Sequence, residues 1–201
     1  MGAKTFFTQF HAETTYSDFI YGIRPDTENK ELRYKENFGS FSEALKYAFN
    51  HENEKVILII DEINRANLSN VLGPVFYLFE HKMDVSNVEI EIAPNFKVYK
   101  LPNNFFVIAT MNTADRSLAV VDFALRRRFA WYTLKPKAIK SKQFFNEDFS
   151  RIQEIFDWYA SSTELNLQPG QGYFIADTEE EMKNRIRYEI FPLIKESSLK
   201  K

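Results

Sequence analysis

The sequence predicts an α/β fold, a sheet of largely parallel strands flanked by helices, with a small helical lobe toward the C-terminal end. Three observations predict it. Val56 to Ile60 and "NFFVIAT" (104–110) are short apolar runs that lead directly into polar residues, the pattern of strands covered on both faces in the middle of a parallel sheet. Segments at helical spacing lie between the strands, as crossovers between parallel neighbours require. After Pro136 the strand signals cease and two amphipathic helices remain.

Each element can be justified in order. "KTFFTQFH" (4–11) reads as the first strand, and the charged stretch that follows, with Gly22 and Pro25, as a loop region to about Ser40. Its aromatics Tyr16, Phe19, Tyr21 and Tyr34 are expected to pin it to the body. "SFSEALKYAFNHE" (40–52) places Phe41, Leu45, Ala48 and Phe49 on one helical face, with Ser40 or Ser42 available as N-cap. Val56 to Ile60 is β-branched at four of five positions, which suits a strand. "NLSNVLGPVFYLFEHK" (67–82) is helical in spacing, and Pro74 predicts a kink. "VEIEI" and "FKVY" (88–99) alternate like a half-exposed hairpin, and "NFFVIAT" (104–110) is the second apolar strand. A short helix (118–128) and a third strand, "FAWYTL" (129–134), complete the α/β part. In the helical lobe, "NEDFSRIQEIFDWYASS" (146–162) carries Phe149, Ile152, Ile155, Phe156 and Tyr159 on one face, and "TEEEMKNRIRYEIFPLIKE" (178–196) opens on a capping box of Thr178 and Glu181. The expected division is 1–136 and 137–201.

Composition narrows the function. A chain of 201 residues, 44% hydrophobic, supports one sizeable core with an appendage. The absence of cysteine excludes disulfides and cysteine-ligated metal, and His11, His51 and His81 lie too far apart in sequence to suggest a histidine site. A net charge of -2 offers no global basic field for a phosphate backbone, so DNA contact is expected to be local or to lie on another domain. No apolar run reaches the roughly 20 residues of a membrane span. A cytoplasmic location and no membrane association are the expectations.

The polar residues at the strand ends carry the chemistry. In an open α/β sheet, ligands bind at the carboxyl ends of the strands. One apolar strand runs into Asp61 and Glu62, the other toward Asn112, Asp115 and Arg116. A carboxylate at the mouth of a sheet can hold the water shell of Mg²⁺, a second can orient an attacking water on a phosphoryl group, and an amide one strand away can hold that water or the terminal phosphate. Each feature has a structural alternative. Acids cap the helix that follows a strand, and the cations Arg126, Arg127 and Arg128 suit a helix C-terminus. In an NTPase such arginines could instead reach a phosphate across a subunit interface.

"LIIDEINRANLSNVLGPVFYLFE" followed by "FFVIATMNTADRSLAVVDFALRRRF" closely resembles the AAA+ domain of McrB-type proteins, the GTP-hydrolysing motor subunits of modification-dependent, 5-methylcytosine-specific restriction systems. The likeness continues upstream through "FHAETTYSDFIYGIRP" and downstream through "GYF" to "YEIFPLI". It implies a P-loop-NTPase-type sheet with a helical lid. On that resemblance Asp61 and Glu62 correspond to the Walker B pair, Asp61 for Mg²⁺ and Glu62 for water activation. Asn112 corresponds to sensor 1, and Arg116 with Arg126, Arg127 and Arg128 to residues that complete a neighbour's site. Asp61, Asn64, Asn112 and Asp115 are the expected cofactor-binding set. The resemblance further implies GTP or ATP as cofactor, a homo-oligomeric ring, an McrC-like nuclease subunit, and DNA engaged through the complex or another domain.

One part is missing. The six glycines never form G-x-x-x-x-G-K-[ST], the loop whose backbone N–H groups and lysine cradle the triphosphate. "GAKT" (2–5) has the wrong spacing and runs straight into the first strand. The chain is therefore expected to begin downstream of the phosphate loop and its flanking strand and helix, and to bind nucleotide weakly by itself. The competing reading is a non-catalytic AAA+ remnant that serves as a binding or assembly module. A Mg²⁺ nuclease built on Asp61, Glu62 and Glu80 is disfavoured, because no lysine follows at the spacing such sites need.

Overall fold

The computed structural model describes residues 2–26, 33–80, 88–112, 126–161 and 164–198. The chain divides into two units, Met1–Trp131 and Tyr132–Lys201.

In the first unit, β1 (Lys4–Gln9) leads to a one-turn helix α1 (Tyr16–Phe19) and then to two strands, β2 (Tyr21–Asp26) and β3 (Arg33–Phe38). Next come α2 (Ser40–Asn50), β4 (Val56–Asp61), a 3-10 turn (Ile63–Arg65) and α3 (Leu68–Leu72). A second 3-10 segment (Gly73–Phe79), β5 (Ile90–Ala93), β6 (Phe96–Val98) and β7 (Phe105–Ala109) follow. The central sheet has the order β1-β4-β7, and both pairings are parallel. Thus β4 is the middle of the three described strands, as its unbroken apolar run predicts.

Between β1 and β4 the structure corrects the expectation of a loop. β2 and β3 pair antiparallel from Tyr21 opposite Phe38 to Asp26 opposite Arg33. Alternation is hidden there because polar residues occupy both faces of a hairpin that stands largely in solvent. Phe19 is buried, and Tyr16 and Tyr21 pack against the core, but Tyr34 is exposed. The α2 helix buries Phe41, Leu45 and Ala48 as its periodicity demands, while Phe49 stays partly exposed. Its N-cap is Gly39, not a serine. A Cβ on Gly39 would lie 2.2 Å from the carbonyl carbon of Phe19, so this approach of two backbones requires glycine. The kink predicted near Pro74 falls at Gly73, whose φ of 46° ends α3 and turns the chain into the 3-10 segment.

Asn104 ties the core together. Its Nδ2 lies 3.0 Å from the carbonyl oxygens of Ala48 and His51 and 2.9 Å from that of Glu54, so one amide serves the C-terminal end of α2 and the turn before β4.

The sheet has two unlike faces. Val56, Leu58, Ile60 and Phe105 are buried against Phe10, Phe41, Leu45 and Phe79. Each such side chain is worth about 1.5–3 kcal/mol in area removed from water. The opposite face presents Phe7, Ile57, Ile59, Phe106 and Ile108, of which Phe7 is 65% exposed and Ile108 51%. Coverage on both faces, expected from the apolar run, is therefore not observed among the described residues. "FAWYTL" is also not a strand. Its Phe129 stacks on Phe79 at 5.6 Å, while Tyr132 and Leu134 are exposed. Its β-forming composition does not decide the outcome: the outer strands of the described sheet, β1 and β7, pair only with β4 and not with this segment. The expected helix at 118–128 lies almost wholly outside the described residues.

In the second unit, α4 (Asn146–Tyr159), two 3-10 turns (Glu164–Leu167 and Gln171–Phe174), α5 (Glu179–Arg185), a π-helical turn (Ile186–Ile190) and α6 (Phe191–Ser198) enclose Phe144, Phe149, Phe174, Ala176, Met182 and Ile190. Thr178 is the N-cap of α5 as predicted, its Oγ1 accepting from the Glu181 amide at 3.1 Å, but the capping box is displaced by one residue: the Glu181 carboxylate accepts from the Asp177 amide at 2.9 Å and not from that of Thr178.

Candidate functional site at the sheet rim

Parallel pairing in register brings the carboxyl ends of β1, β4 and β7 to a single rim. Gln9 stands opposite Asp61, and Ile60 opposite Ala109. Asp61 shares the open face with Ile57 and Ile59, so the apolar platform ends directly in a carboxylate. Both oxygens of that carboxylate are engaged: Oδ2 accepts from Gln9 Nε2 at 2.9 Å, and Oδ1 from the hydroxyl of Thr110. The Phe10 amide donates to the Asp61 carbonyl at 2.9 Å.

Glu62 follows in the left-handed region, φ 54° and ψ 45°. A non-glycine residue there costs roughly 1–2 kcal/mol. The turn is held from β7: the Glu62 amide donates to Thr110 Oγ1 at 3.3 Å and the Ile63 amide to the Thr110 carbonyl at 2.9 Å. This turn swings the Glu62 side chain off the line of the strand, where its Oε2 lies 3.3 Å from Arg65 Nε. Asn64, 4% exposed, donates from Nδ2 to the carbonyl of Asn112 at 3.3 Å and so links the two strand exits a second time.

The structure thus brings Asp61, Glu62, Asn64 and Asn112 to one rim. Asp115 and Arg116 lie outside the described residues. Of the arginines, Arg127 pairs with Glu80 at 2.7 Å, and Arg126 lies 5.6 Å from the Trp131 ring and accepts the indole N–H on its carbonyl at 2.8 Å. Among the described residues, neither makes a hydrogen bond or ion pair within the rim. Arg128 is different from both: it is buried, paired with Glu80, and packed 3.9 Å from the Phe76 ring. A guanidinium so enclosed anchors its own chain and does not reach a neighbour. Glu80, bound by two arginines, is likewise not an open metal ligand.

The family model for AAA domains of the dynein-related subfamily matches residues 1–129. The chain belongs to this AAA family. The chain is 41% identical over 141 residues to the type IV methyl-directed restriction enzyme EcoKMcrB subunit of Escherichia coli, a match covering 69% of this chain and 30% of that protein. It is 34% identical over 131 residues to the type II restriction enzyme BsuMI component YdiS of Bacillus subtilis, covering 58% of this chain and 38% of that protein. The chain therefore spans about a third of the length of the curated relatives it matches.

Three rim residues of this AAA domain escaped the sequence reading: Gln9, Thr110 and Arg65. Thr110 falls at the end of a predicted strand, where a polar residue signals only that the strand stops, and Gln9 falls within one, where it reads as an ordinary exposed position. Their significance depends on register, which the sequence does not print.

Proposed function

We propose that this AAA domain carries the Walker B and sensor side of a Mg²⁺-dependent nucleoside triphosphatase, with GTP as substrate or ATP in its place. The observation that supports the reading most is the common rim: Asp61, Glu62 and Asn112 leave two adjacent parallel strands that Thr110 and Asn64 bind together. Magnesium fits this donor set, because it takes one or two carboxylates, completes its shell with water and phosphate oxygens, and needs no all-protein cage. Asp61 would hold the ion, which supplies charge neutralisation at the phosphates when bound.

The remaining roles fall to the chain. Glu62, beside the strand end, orients the attacking water, and Asn112 holds that water or the terminal phosphate. To Asp115 we assign a phosphate-sensing role. Arg116, Arg126 and Arg127 complete the site of an adjacent subunit in a homo-oligomeric ring, and 137–201 acts as the lid. By analogy with the restriction subunits it matches, the ring is a motor that works with an McrC-like nuclease subunit, and DNA is engaged through that complex or another domain. No described helix is long and apolar enough to cross a membrane; a cytoplasmic location remains part of the proposal.

The decisive experiment compares hydrolysis by this chain alone with that of a polypeptide carrying a phosphate loop ahead of Lys4. The chain alone is expected to bind a fluorescent GTP or ATP analogue weakly and to hydrolyse neither. The extended form is expected to hydrolyse, and Glu62→Gln to slow it by about 10²–10⁴-fold. Full activity in Glu62→Gln overturns the proposal. An extended form that binds nucleotide and assembles without hydrolysing it favours the assembly module.

A further inference from the structure

Thr110 lies just beyond β7 and two residues before Asn112. It bonds to four consecutive residues of the β4 exit. Its amide donates to the Ile60 carbonyl at 2.9 Å, its hydroxyl donates to the Asp61 carboxylate, its Oγ1 accepts from the Glu62 amide at 3.3 Å, and its carbonyl accepts from the Ile63 amide at 2.9 Å. The first and last of these are backbone bonds that any residue at this position would make. The middle two use the hydroxyl, and both fall on the acidic pair.

We infer that Thr110 is a positioning residue for both acids. Its hydroxyl fixes the rotamer of the Asp61 carboxylate and holds the left-handed turn that aims Glu62, and through the chain to Asn112 it couples both to the sensor. The assignment rests on the triphosphatase reading for its catalytic consequence but not for its geometry. A hydroxyl that gives its proton to Asp61 and receives the Glu62 amide is polarised in one direction, so each bond strengthens the other. Replacing it by an isosteric methyl removes a partner from Asp61 and from Glu62 at once. Gln9 engages only Asp61, through the other oxygen, so its loss leaves the Glu62 turn in place.

The test has two arms. In this chain, Thr110→Val is expected to accelerate amide hydrogen exchange at Glu62 by about five- to tenfold, the equivalent of one lost hydrogen bond, and Thr110→Ser to preserve the slow rate. The Leu58 and Ile60 amides are expected not to change. In the polypeptide extended by a phosphate loop, Thr110→Val is expected to lower kcat about 10- to 100-fold, as loss of a ligand-orienting partner does, and to raise the Mg²⁺ concentration for half-maximal rate, with nucleotide KM unchanged and Thr110→Ser restoring both. Gln9→Leu is expected to shift the Mg²⁺ dependence while Glu62 exchange stays at the native rate.

Unchanged Glu62 exchange in Thr110→Val overturns the assignment. So does equal acceleration at Leu58 and Ile60, which would make Thr110 a residue of the fold alone, or a kcat for Thr110→Val equal to that of Thr110→Ser. If the unsubstituted extended polypeptide hydrolyses nothing, the triphosphatase reading falls, while the exchange arm still decides whether Thr110 holds the turn.

Discussion

The two faces of the three-stranded sheet are made from the same strands and nearly the same residue types, yet they do different work. On one face Val56, Leu58, Ile60 and Phe105 are sealed under α2 and its aromatic neighbours, and Phe41 makes ring contacts with Phe19, Phe79 and Phe105 at 5.6–6.0 Å. On the other, Ile57, Ile59, Phe106 and Ile108 form an apolar platform that leads without interruption into Asp61. The buried face supplies stability, and the open face delivers a carboxylate to the rim. The same alternation that turns Leu58 and Ile60 inward turns Asp61 to the other side.

The largest effect separates these faces. Phe41→Ala is expected to cost about 3–5 kcal/mol, because the cavity it leaves is lined by three other rings. Ile108→Ala is expected to stay within about 1 kcal/mol, since that side chain is already half in water. Urea unfolding of the two variants measures the difference. Equal destabilisation would mean that the platform is covered, and the contrast between faces would be lost.

A smaller contrast lies among the arginines. Arg128→Met is expected to lose about 3 kcal/mol, because it breaks a buried pair with Glu80 and a contact with the Phe76 ring. Arg127, 65% exposed, binds the same Glu80 from solvent, and Arg127→Met is expected to cost no more than about 1 kcal/mol. The sign of the contrast matters more than its size. Were Arg127 the costlier loss, its proposed freedom to serve a neighbouring subunit would be untenable, whereas the expected order leaves Arg127 available and Arg128 committed.

What the sequence could disclose follows from this same division. The strands β1, β4 and β7, the α2 face and the capped α5 were all legible, because each depends on a local period and on composition. Asp61 and Asn112 were legible as site candidates because a polar residue at the end of an apolar strand is a local anomaly. The β2–β3 hairpin was not, since most of its residues face water and show no period. Nor was the open platform: five apolar residues state what they would gain from burial, not whether a neighbour is there to bury them. Thr110 and Gln9 were invisible for a third reason. Their meaning lies in hydrogen bonds to residues about fifty positions away, at Asp61 and Glu62, and only the parallel register creates those bonds.

The smallest expected effect concerns how the hairpin is attached to the well-buried side of the unit. Asp18, in α1, accepts from the Thr15 hydroxyl at 2.7 Å and the Thr15 amide at 2.9 Å, and pairs with Arg24 on β2. The Thr15 hydroxyl bond, assisted by the Thr15 amide and Arg24 and opposed by partial burial, holds the Asp18 carboxyl below its ordinary range. A carboxylate whose folded value is depressed binds fewer protons in the native state, so its stabilising contribution is complete above its unfolded value, about 3.9, and is lost as pH falls through the lower folded value. The difference in urea midpoint between the unsubstituted protein and Asp18→Ala should therefore be constant from neutral pH down to about 5 and shrink below about 4. Because Asp18 is largely solvated, the difference should also shrink in high salt to the extent that Arg24 contributes, leaving the Thr15 bonds behind. A difference that grew on acidification would mean that the unfolded chain holds Asp18 more tightly than the cap does, and the hairpin would then owe its attachment to Phe19 and Tyr21 alone.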